Sequence, residues 1–117
     1  MYYELSKGEK KIARMLIDKG LDAAYVKALE DAATIIEKWR SKKPDNKESY
    51  LELYKVLDMH DNAIANRYNN LGGSRWLATV VDLFVEKIIT EEDIQGFSET
   101  TRNIIYDWGG LRKNNNN

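Results

Sequence analysis

Apolar residues recur at helical spacing between Arg75 and Ile89, the most apolar stretch of the chain. Polar residues within this stretch form only a narrow stripe, at steps of three and four residues. A helix with so little polar surface is usually buried on several sides, so the pattern predicts a central helix around which the other elements pack. One face of this helix is defined by Leu77, Val81, Phe84, Val85 and Ile88.

Two helices are predicted before this stretch from capping signals and apolar periodicity. Ser6 and Glu9 have the spacing of a capping box, which places the start of helix 1 near residue 7. Gly20 stands where a left-handed C-terminal cap belongs, so helix 1 is predicted to end at about residue 19. Asp22 is then the N-cap of helix 2, which is predicted over residues 23–41 from an apolar stripe through five turns.

A third helix is predicted between a proline-containing connector and a glycine-rich turn. Pro44 ends helix 2, because a proline disfavours helix at the residue before it. Asp45, with a glutamate three residues later, marks the start of helix 3, which is predicted over residues 45–68. Residues 69–74 are rich in Asn and Gly and predict a tight turn, with Ser74 as the N-cap of the central helix.

A fifth helix is predicted from Thr90, because three acidic residues follow it and suit the positive end of a helix dipole. Gly96 is a weak point at which this helix is expected to kink or split, with Ser98 available as a second cap. The glycines at 109 and 110 are expected to end it. Residues 111–117 have little to bury, so they are expected to be disordered.

Together these patterns predict an all-α protein, a compact bundle of about five helices with the helix at 75–89 central. Residues 1–110 are expected to form a single helical domain, because a chain of 117 residues supports one core. The side chains expected to be buried are Trp39, Leu57, Val81, Phe84 and Ile104.

The composition restricts the chemistry that the protein can perform. The chain has no cysteine and one histidine, so it cannot form a disulfide, a thiolate metal site or a multi-histidine cluster within one chain. No cofactor and no metal are therefore expected. The first residues hold no apolar run of signal-peptide length, and even the central helix carries several charges. A soluble, cytoplasmic protein that does not enter a membrane is expected.

The charges are unevenly distributed, although they nearly cancel to a net charge of -1. Residues 1–47 carry eleven Lys and Arg against eight Asp and Glu, whereas residues 82–107 carry seven acidic residues against Lys87 and Arg102. Such asymmetry can steer a partner or a second copy of the chain, although a solvated surface produces it as well. Nucleic-acid binding is disfavoured, because the start of helix 2 offers few side chains able to reach base edges.

Polar residues are concentrated on helix 3 and the turn after it, and five of them form the candidate site: Asp58, His60, Asp61, Arg67 and Arg75. They could supply an acid, a base and an anion-binding group to one cleft, or they could simply lock helix 3 against the central helix. Asp61 falls within the apolar face of helix 3, so its carboxylate is predicted to be buried and paired. Its expected partner is Arg75 or the backbone at the start of the central helix.

No stretch of the sequence identifies a reaction. The sequence therefore favours a small non-enzymatic protein that acts by macromolecular interaction, as a regulator or inhibitor. Another protein is the expected partner, and self-association is an open alternative. The competing hypothesis is a small-molecule-binding or hydrolytic enzyme built on the helix 3 cluster. A deep pocket lined by that cluster would support the enzyme, whereas an exposed apolar or charged patch would support the interaction protein.

Overall fold

The computed structural model describes residues 3–69, 71–72 and 75–115, which form helices and turns without any strand. These residues contain four helices: α1 (Lys7–Lys42), α2 (Asn46–Tyr68), α3 (Arg75–Val85) and α4 (Glu99–Asn115). The predicted all-α class is confirmed, and the predicted number of about five helices is too high by one. Across the described residues, no helix combines the length and the apolar character needed to cross a membrane.

The chain divides into two compact units. The first unit consists of residues 1–20 and 70–117, and the second, here called the hairpin unit, consists of residues 21–69. The boundary at residue 20 falls inside α1, not in a linker. The expectation of one domain over residues 1–110 with a disordered tail stays a prediction, and residues 116 and 117 lie outside the described part of the chain.

α1 passes through Gly20 without a break, so the prediction of two helices over residues 7–19 and 23–41 is wrong. A glycine inside a helix costs about 1 kcal/mol relative to alanine. Ending one helix and starting another would leave roughly eight backbone N–H and C=O groups in need of new partners. The second cost is the larger one, so the continuity of the helix overrides the local capping signals at Gly20 and Asp22.

The predicted capping box at the start of α1 is confirmed. The Ser6 hydroxyl accepts a hydrogen bond from the Glu9 N–H at 3.2 Å, and the Glu9 carboxylate accepts one from the Ser6 N–H at 3.3 Å. The same carboxylate accepts the N–H and the hydroxyl of Ser98, both at 3.1 Å. Partial burial pushes the pKa of Glu9 upward, but donors on Thr101, Ser98 and Ser6 outweigh it and hold the pKa below its ordinary value.

The connection between α1 and α2 spans residues 43–45 and follows the predicted signals. α1 ends two residues before Pro44. Lys43 adopts a φ of 49° and donates its N–H to the Trp39 carbonyl at 3.2 Å, which is a left-handed helix cap. Asp45 is the N-cap of α2, because its carboxylate accepts the Glu48 N–H at 3.1 Å. α1 and α2 are therefore joined as a helical hairpin.

The core of the first unit is built around α3, which packs against α4. α3 begins at Arg75, and its predicted cap, Ser74, lies outside the described residues. Five of its eleven residues are buried: Leu77, Thr79, Val80, Val81 and Leu83. The other elements of this unit add further buried side chains from α1, from the connection to α4 and from α4 itself: Ala13, Leu16, Ile17, Ile89, Ile94, Phe97, Thr101 and Ile105.

α3 ends at Val85, not at the predicted Ile89, and the chain leaves it through a Schellman motif. Lys87 has a φ of 64° and donates its N–H to the Phe84 carbonyl at 3.1 Å. Ile88 donates to the Leu83 carbonyl at 3.0 Å. These two bonds define the motif. Lysine occupies the left-handed position that glycine usually takes, so the sequence carried no recognisable stop signal there.

Residues 86–98 form turns, so the predicted start of a helix at Thr90 is wrong. The local signal is nevertheless present: the Thr90 N–H donates to the Asp93 carboxylate at 2.8 Å, and the Asp93 N–H donates back to the Thr90 hydroxyl at 3.3 Å. No helix follows from it, and near the end of this stretch Gly96 lies so close to α1 that an added Cβ would stand 3.1 Å from Ile12 Cδ1.

α4 begins directly after the predicted second cap. The Ser98 hydroxyl accepts the Thr101 N–H at 3.2 Å, and the helix starts at Glu99. α4 then continues through Gly109 and Gly110 to Asn115, so the expectation that these glycines end the helix is wrong. An added Cβ at Gly109 would lie 3.3 Å from Val85 Cγ2, which shows that this glycine permits the close packing of α4 on α3.

The predicted buried residues divide between the two units. In the first unit Val81 is fully buried, whereas Phe84 and Ile104 are only partly buried and their neighbours Leu83 and Ile105 take the inner positions. In the hairpin unit Trp39 and Leu57 are 40% and 39% exposed, so the prediction of their burial is wrong. A hairpin of two helices has less interior than the predicted bundle of five.

Replacing Phe97 with alanine should lower the free energy of unfolding by about 3–5 kcal/mol, because the ring is almost fully buried and its loss leaves a cavity. Phe84 is the matched control, since its ring is partly exposed and meets Tyr106 edge to face at 5.8 Å between centroids. Phe84→Ala should cost about 1–2 kcal/mol. Urea denaturation of both variants measures the difference, and equal costs would contradict this description of the core.

Replacing Lys87 with glycine should stabilise the protein by about 0.5–1 kcal/mol, because glycine adopts positive φ without steric cost. Glu92→Gly is the control, since Glu92 lies in an exposed turn at a negative φ and should be neutral or destabilising. Thermal denaturation compares the two variants. A lower midpoint for Lys87→Gly than for wild type would show that the left-handed cap is not formed.

Candidate functional site

The five predicted site residues are divided between the two units. Arg75 opens α3 in the first unit, and the other four lie on α2 in the hairpin unit. Asp58, Asp61 and Arg75 are exposed, so the prediction of a buried, paired carboxylate at Asp61 is wrong. The alternative partner, the backbone just before Arg75, lies outside the described residues.

His60 is the member of the predicted site with a defined structural partner. Its side chain is 16% exposed, and Nε2 lies 2.8 Å from the Asp31 carboxylate on α1. Lys27 donates to the other oxygen of the same carboxylate at 3.0 Å. The Lys27 hydrogen bond and then that of His60 hold the pKa of Asp31 below its ordinary value. These contacts join α1 to α2, whereas the structural alternative had the cluster lock helix 3 against the central helix.

A small cavity of about 210 Å³ lies beside His60 within the hairpin unit. Of the predicted site residues only His60 and Arg67 line it, and the rest of its wall is formed by Ala24, Ala63, Ile64 and Tyr68. No carboxylate takes part in this wall. Among the described residues, moreover, no three His, Asp or Glu side chains are grouped so that they could hold a metal ion. The cavity therefore brings together two of the five predicted site residues, His60 and Arg67, without Asp58, Asp61 or Arg75.

The two helices of the hairpin meet along a narrow line of residues, here called the contact stripe. On α1 its buried members are Ala28, Ala32 and Ile35. On α2 it follows the same helical spacing through Ser49, Leu53, Val56 and His60. Ser49 is the one buried residue of the 23 described in α2. The hairpin thus has very little interior of its own.

One side of the hairpin is polar and carries cross-helix ion pairs. Lys38 on α1 lies 3.1 Å from Glu52 on α2, and Asp31 on α1 meets His60. Asp31 and Glu52 each precede a contact-stripe position by one residue. One residue turns a helix by about 100°, and in two antiparallel helices the same step turns both toward the same side. The pairs show that this side is formed jointly by both helices.

The opposite side consists of the residues that follow the contact stripe by one position, and it is apolar. We call this set the apolar face: Leu29, Ala33, Ile36, Tyr50, Tyr54 and Leu57. Its side chains are widely exposed, with Leu29 at 67%, Tyr50 at 68% and Tyr54 at 62%. Asp61 follows His60 by one position and so belongs to the end of this same side, which explains why it is exposed.

A groove of about 400 Å³ opens on the apolar face close to the 43–45 connection, and Ile36 and Tyr50 both line it. This shared lining places the two helices' apolar residues on one side. At its edge the Trp39 indole N–H donates to the Asn46 side-chain oxygen at 2.8 Å. The hydroxyl of Ser49, also in the lining, is buried and meets no hydrogen-bond partner among the described residues.

The sequence contains the signal for this face in its wide apolar periodicity, although that pattern by itself predicts the core of a larger bundle. The apolar positions of α1 between Tyr25 and Trp39 cover more than one stripe, which is wider than a single neighbouring helix can bury. Periodicity measures how wide an apolar surface is, and it does not identify what covers that surface. For this reason the sequence alone does not show what covers the apolar face.

Comparison with models of known protein families, with curated proteins and with solved structures finds no match for this chain.

Asp31→Asn should lower the thermal midpoint at pH 7, because it removes an ionised carboxylate that bonds Lys27 and His60. Since the pKa of Asp31 is lowered in the folded state, its contribution is present above the unfolded pKa of about 4 and is lost as the pH falls through the folded value. The midpoints of variant and wild type should therefore converge in strong acid.

Asp61→Asn is the matched control for this measurement, because Asp61 lies on the same hairpin and is exposed. It should leave the thermal midpoint of the isolated chain close to that of wild type at pH 7 when measured at low protein concentration. A loss as large as that of Asp31→Asn would mean that Asp61 is paired after all.

Proposed function

We propose that this chain is a small non-enzymatic protein that acts by binding another protein through the apolar face of its hairpin unit. One observation carries the proposal. Of the twelve large apolar side chains that are exposed in the described part of the chain, ten lie between residues 21 and 69. Five of these ten belong to the apolar face: Leu29, Ile36, Tyr50, Tyr54 and Leu57. Exposed apolar residues are normal when scattered, but a concentration on one face is typical of a binding surface.

The energetics favour the same conclusion. Burying one Leu, Ile or Phe side chain is worth about 1.5–3 kcal/mol relative to leaving it exposed. The apolar face offers several such side chains without any rearrangement of the helices that carry them. A partner that presents an apolar helical surface would pack into it by the ridges and grooves that ordinary helix pairs use. A role as regulator or inhibitor is consistent with a protein whose binding surface is its main chemical feature.

The enzymatic alternative gains no support from the site geometry. Asp58 and Asp61 are exposed, and neither lines the cavity next to His60. His60 does have a partner in Asp31 and a cavity beside it, but none of the predicted carboxylates lines that cavity to act as the second group of an acid–base pair. A cytoplasmic location is part of the proposal, since a chain without cysteine gains nothing from an oxidising compartment. Nucleic acid is not the proposed partner.

The proposal can be tested with two matched double variants. Leu29→Gln with Tyr54→Gln makes the apolar face polar at two of its most exposed positions. Leu51→Gln with Met59→Gln removes two exposed apolar side chains that lie outside the apolar face. All four positions are exposed, so both variants should keep the helical content of wild type, which circular dichroism checks. A protein captured by wild type is purified and its affinity for each variant is measured by calorimetry.

The first variant should weaken the affinity by about tenfold or more, which corresponds to about 1.4 kcal/mol, and the second should leave it nearly unchanged. Equal effects of the two variants, or no effect of either, would contradict binding through the apolar face.

A further inference from the structure

We infer that the apolar face binds a second copy of the same chain, with the two hairpins antiparallel to each other. This inference rests on the proposed function, because it names the occupant of the same face. The hairpin is a single layer of two helices, and helical domains normally bury an apolar layer against a second one. Two copies of the hairpin face to face would form a four-helix bundle with a shared interior.

The charges beside the apolar face are basic at the end of the hairpin that carries the connection. Arg40 continues the line of apolar-face residues on α1 toward the connection. Lys47 lies beside the apolar face near the start of α2. Lys43 stands in the connection itself. Glu37 at the outer edge of α1 and Asp45 in the connection offset part of this charge, and Lys42 at the end of α1 adds to it. The connection end is therefore positive overall.

The charges beside the apolar face are acidic away from the connection. Asp61 and Asp58 lie on the flank of α2 past its middle, and Asp22 lies on the matching flank of α1. All three are exposed. The ion pairs of the hairpin, between Lys38 and Glu52 and around Asp31, lie on the opposite side and do not neutralise this face. The face therefore has a positive end and a negative end.

This polarity decides between the two ways in which identical hairpins can meet. A two-fold axis in the plane of the interface can run parallel to the helices or perpendicular to them. An axis parallel to the helices places both connections at the same end, so the basic residues Arg40 and Lys47 of one copy would face those of the other copy. The perpendicular axis places each connection over the acidic end of the second copy, so basic residues face Asp22 and Asp61. Like charges in juxtaposition are costly, so the antiparallel arrangement is favoured.

Sedimentation analysis of the full chain tests self-association directly. Wild type should sediment at twice its 13.6 kDa at high concentration and dissociate on dilution. The variant Leu29→Gln with Tyr54→Gln should weaken the dimer by about tenfold or more, whereas Leu51→Gln with Met59→Gln should not. Wild type that stays monomeric at every concentration would overturn the inference. The proposed function would survive that result if binding of another protein still depended on the apolar face.

Two charge variants test the antiparallel arrangement. Arg40→Glu with Lys47→Glu makes both ends of the face acidic, and Asp58→Lys with Asp61→Lys makes both ends basic. Each variant alone should dimerise about tenfold more weakly than wild type at low salt, where the screening length is longer. An equimolar mixture should recover a heterodimer, because each face then meets its opposite. Loss of association without recovery in the mixture would overturn the charge complementarity.

The orientation can be measured with one label, because the chain has no cysteine of its own. Spin labels on Lys42→Cys should be separated across the dimer by a distance on the order of 30 Å, since about twenty helical residues separate the two ends. A parallel dimer would bring these labels within about 20 Å, two helix diameters, and would contradict the proposed arrangement. A dimer affinity that is unchanged by every substitution on the apolar face would likewise show that another surface associates.

Discussion

The hairpin unit buries few side chains, and this constraint determines its other features. α2 has 23 residues, and Ser49 is the one among them that is buried. Helices in proteins owe most of their stability to the packing of an apolar face, and intrinsic propensity alone rarely keeps a helix of this length folded in water. The contact stripe supplies part of that packing, and the cross-helix pair of Asp31 and His60 supplies a directional constraint. What these contacts leave uncovered is the apolar face, and its exposure follows from the same small number of buried side chains.

The first unit, in contrast, buries enough side chains to form a core around α3. α3 is nearly surrounded: four of its side chains, Leu77, Val80, Val81 and Leu83, are completely buried. The surrounding elements contribute one to three buried apolar residues each, and Glu9 binds the backbone at the start of α4 as it caps its own helix. A short helix with neighbours on several sides needs no further partner. The hairpin lacks such neighbours among the described residues, and its apolar face stays exposed.

The sequence predicted those features that depend on neighbouring residues alone. The Ser6–Glu9 box and the Asp45 cap require only a hydroxyl or carboxylate and a free backbone N–H three residues away, so they form as expected. Gly20, Gly109 and Lys87 each depart from the local rule. The first two stay helical and the third takes a left-handed conformation, because packing outweighs a propensity difference of about 1 kcal/mol. A sequence pattern contains no information on the size of that packing energy.

The prediction that Asp61 is buried is wrong for a related geometric reason. His60 and Asp61 are adjacent in sequence, and the rotation of about 100° between them separates a residue that faces the other helix from one that faces solvent. Periodicity alone cannot fix the orientation of a helix about its axis to better than about 100°, because an apolar stripe broad enough to contact two neighbours has no unique centre. The ion pair of Lys38 with Glu52 identifies the polar side of the hairpin, so the opposite side, which carries Leu29 and Tyr54, is the apolar one. In a layer of two helices, the position of the polar side thus identifies the apolar side, and Asp61 belongs to the charged border of the apolar face.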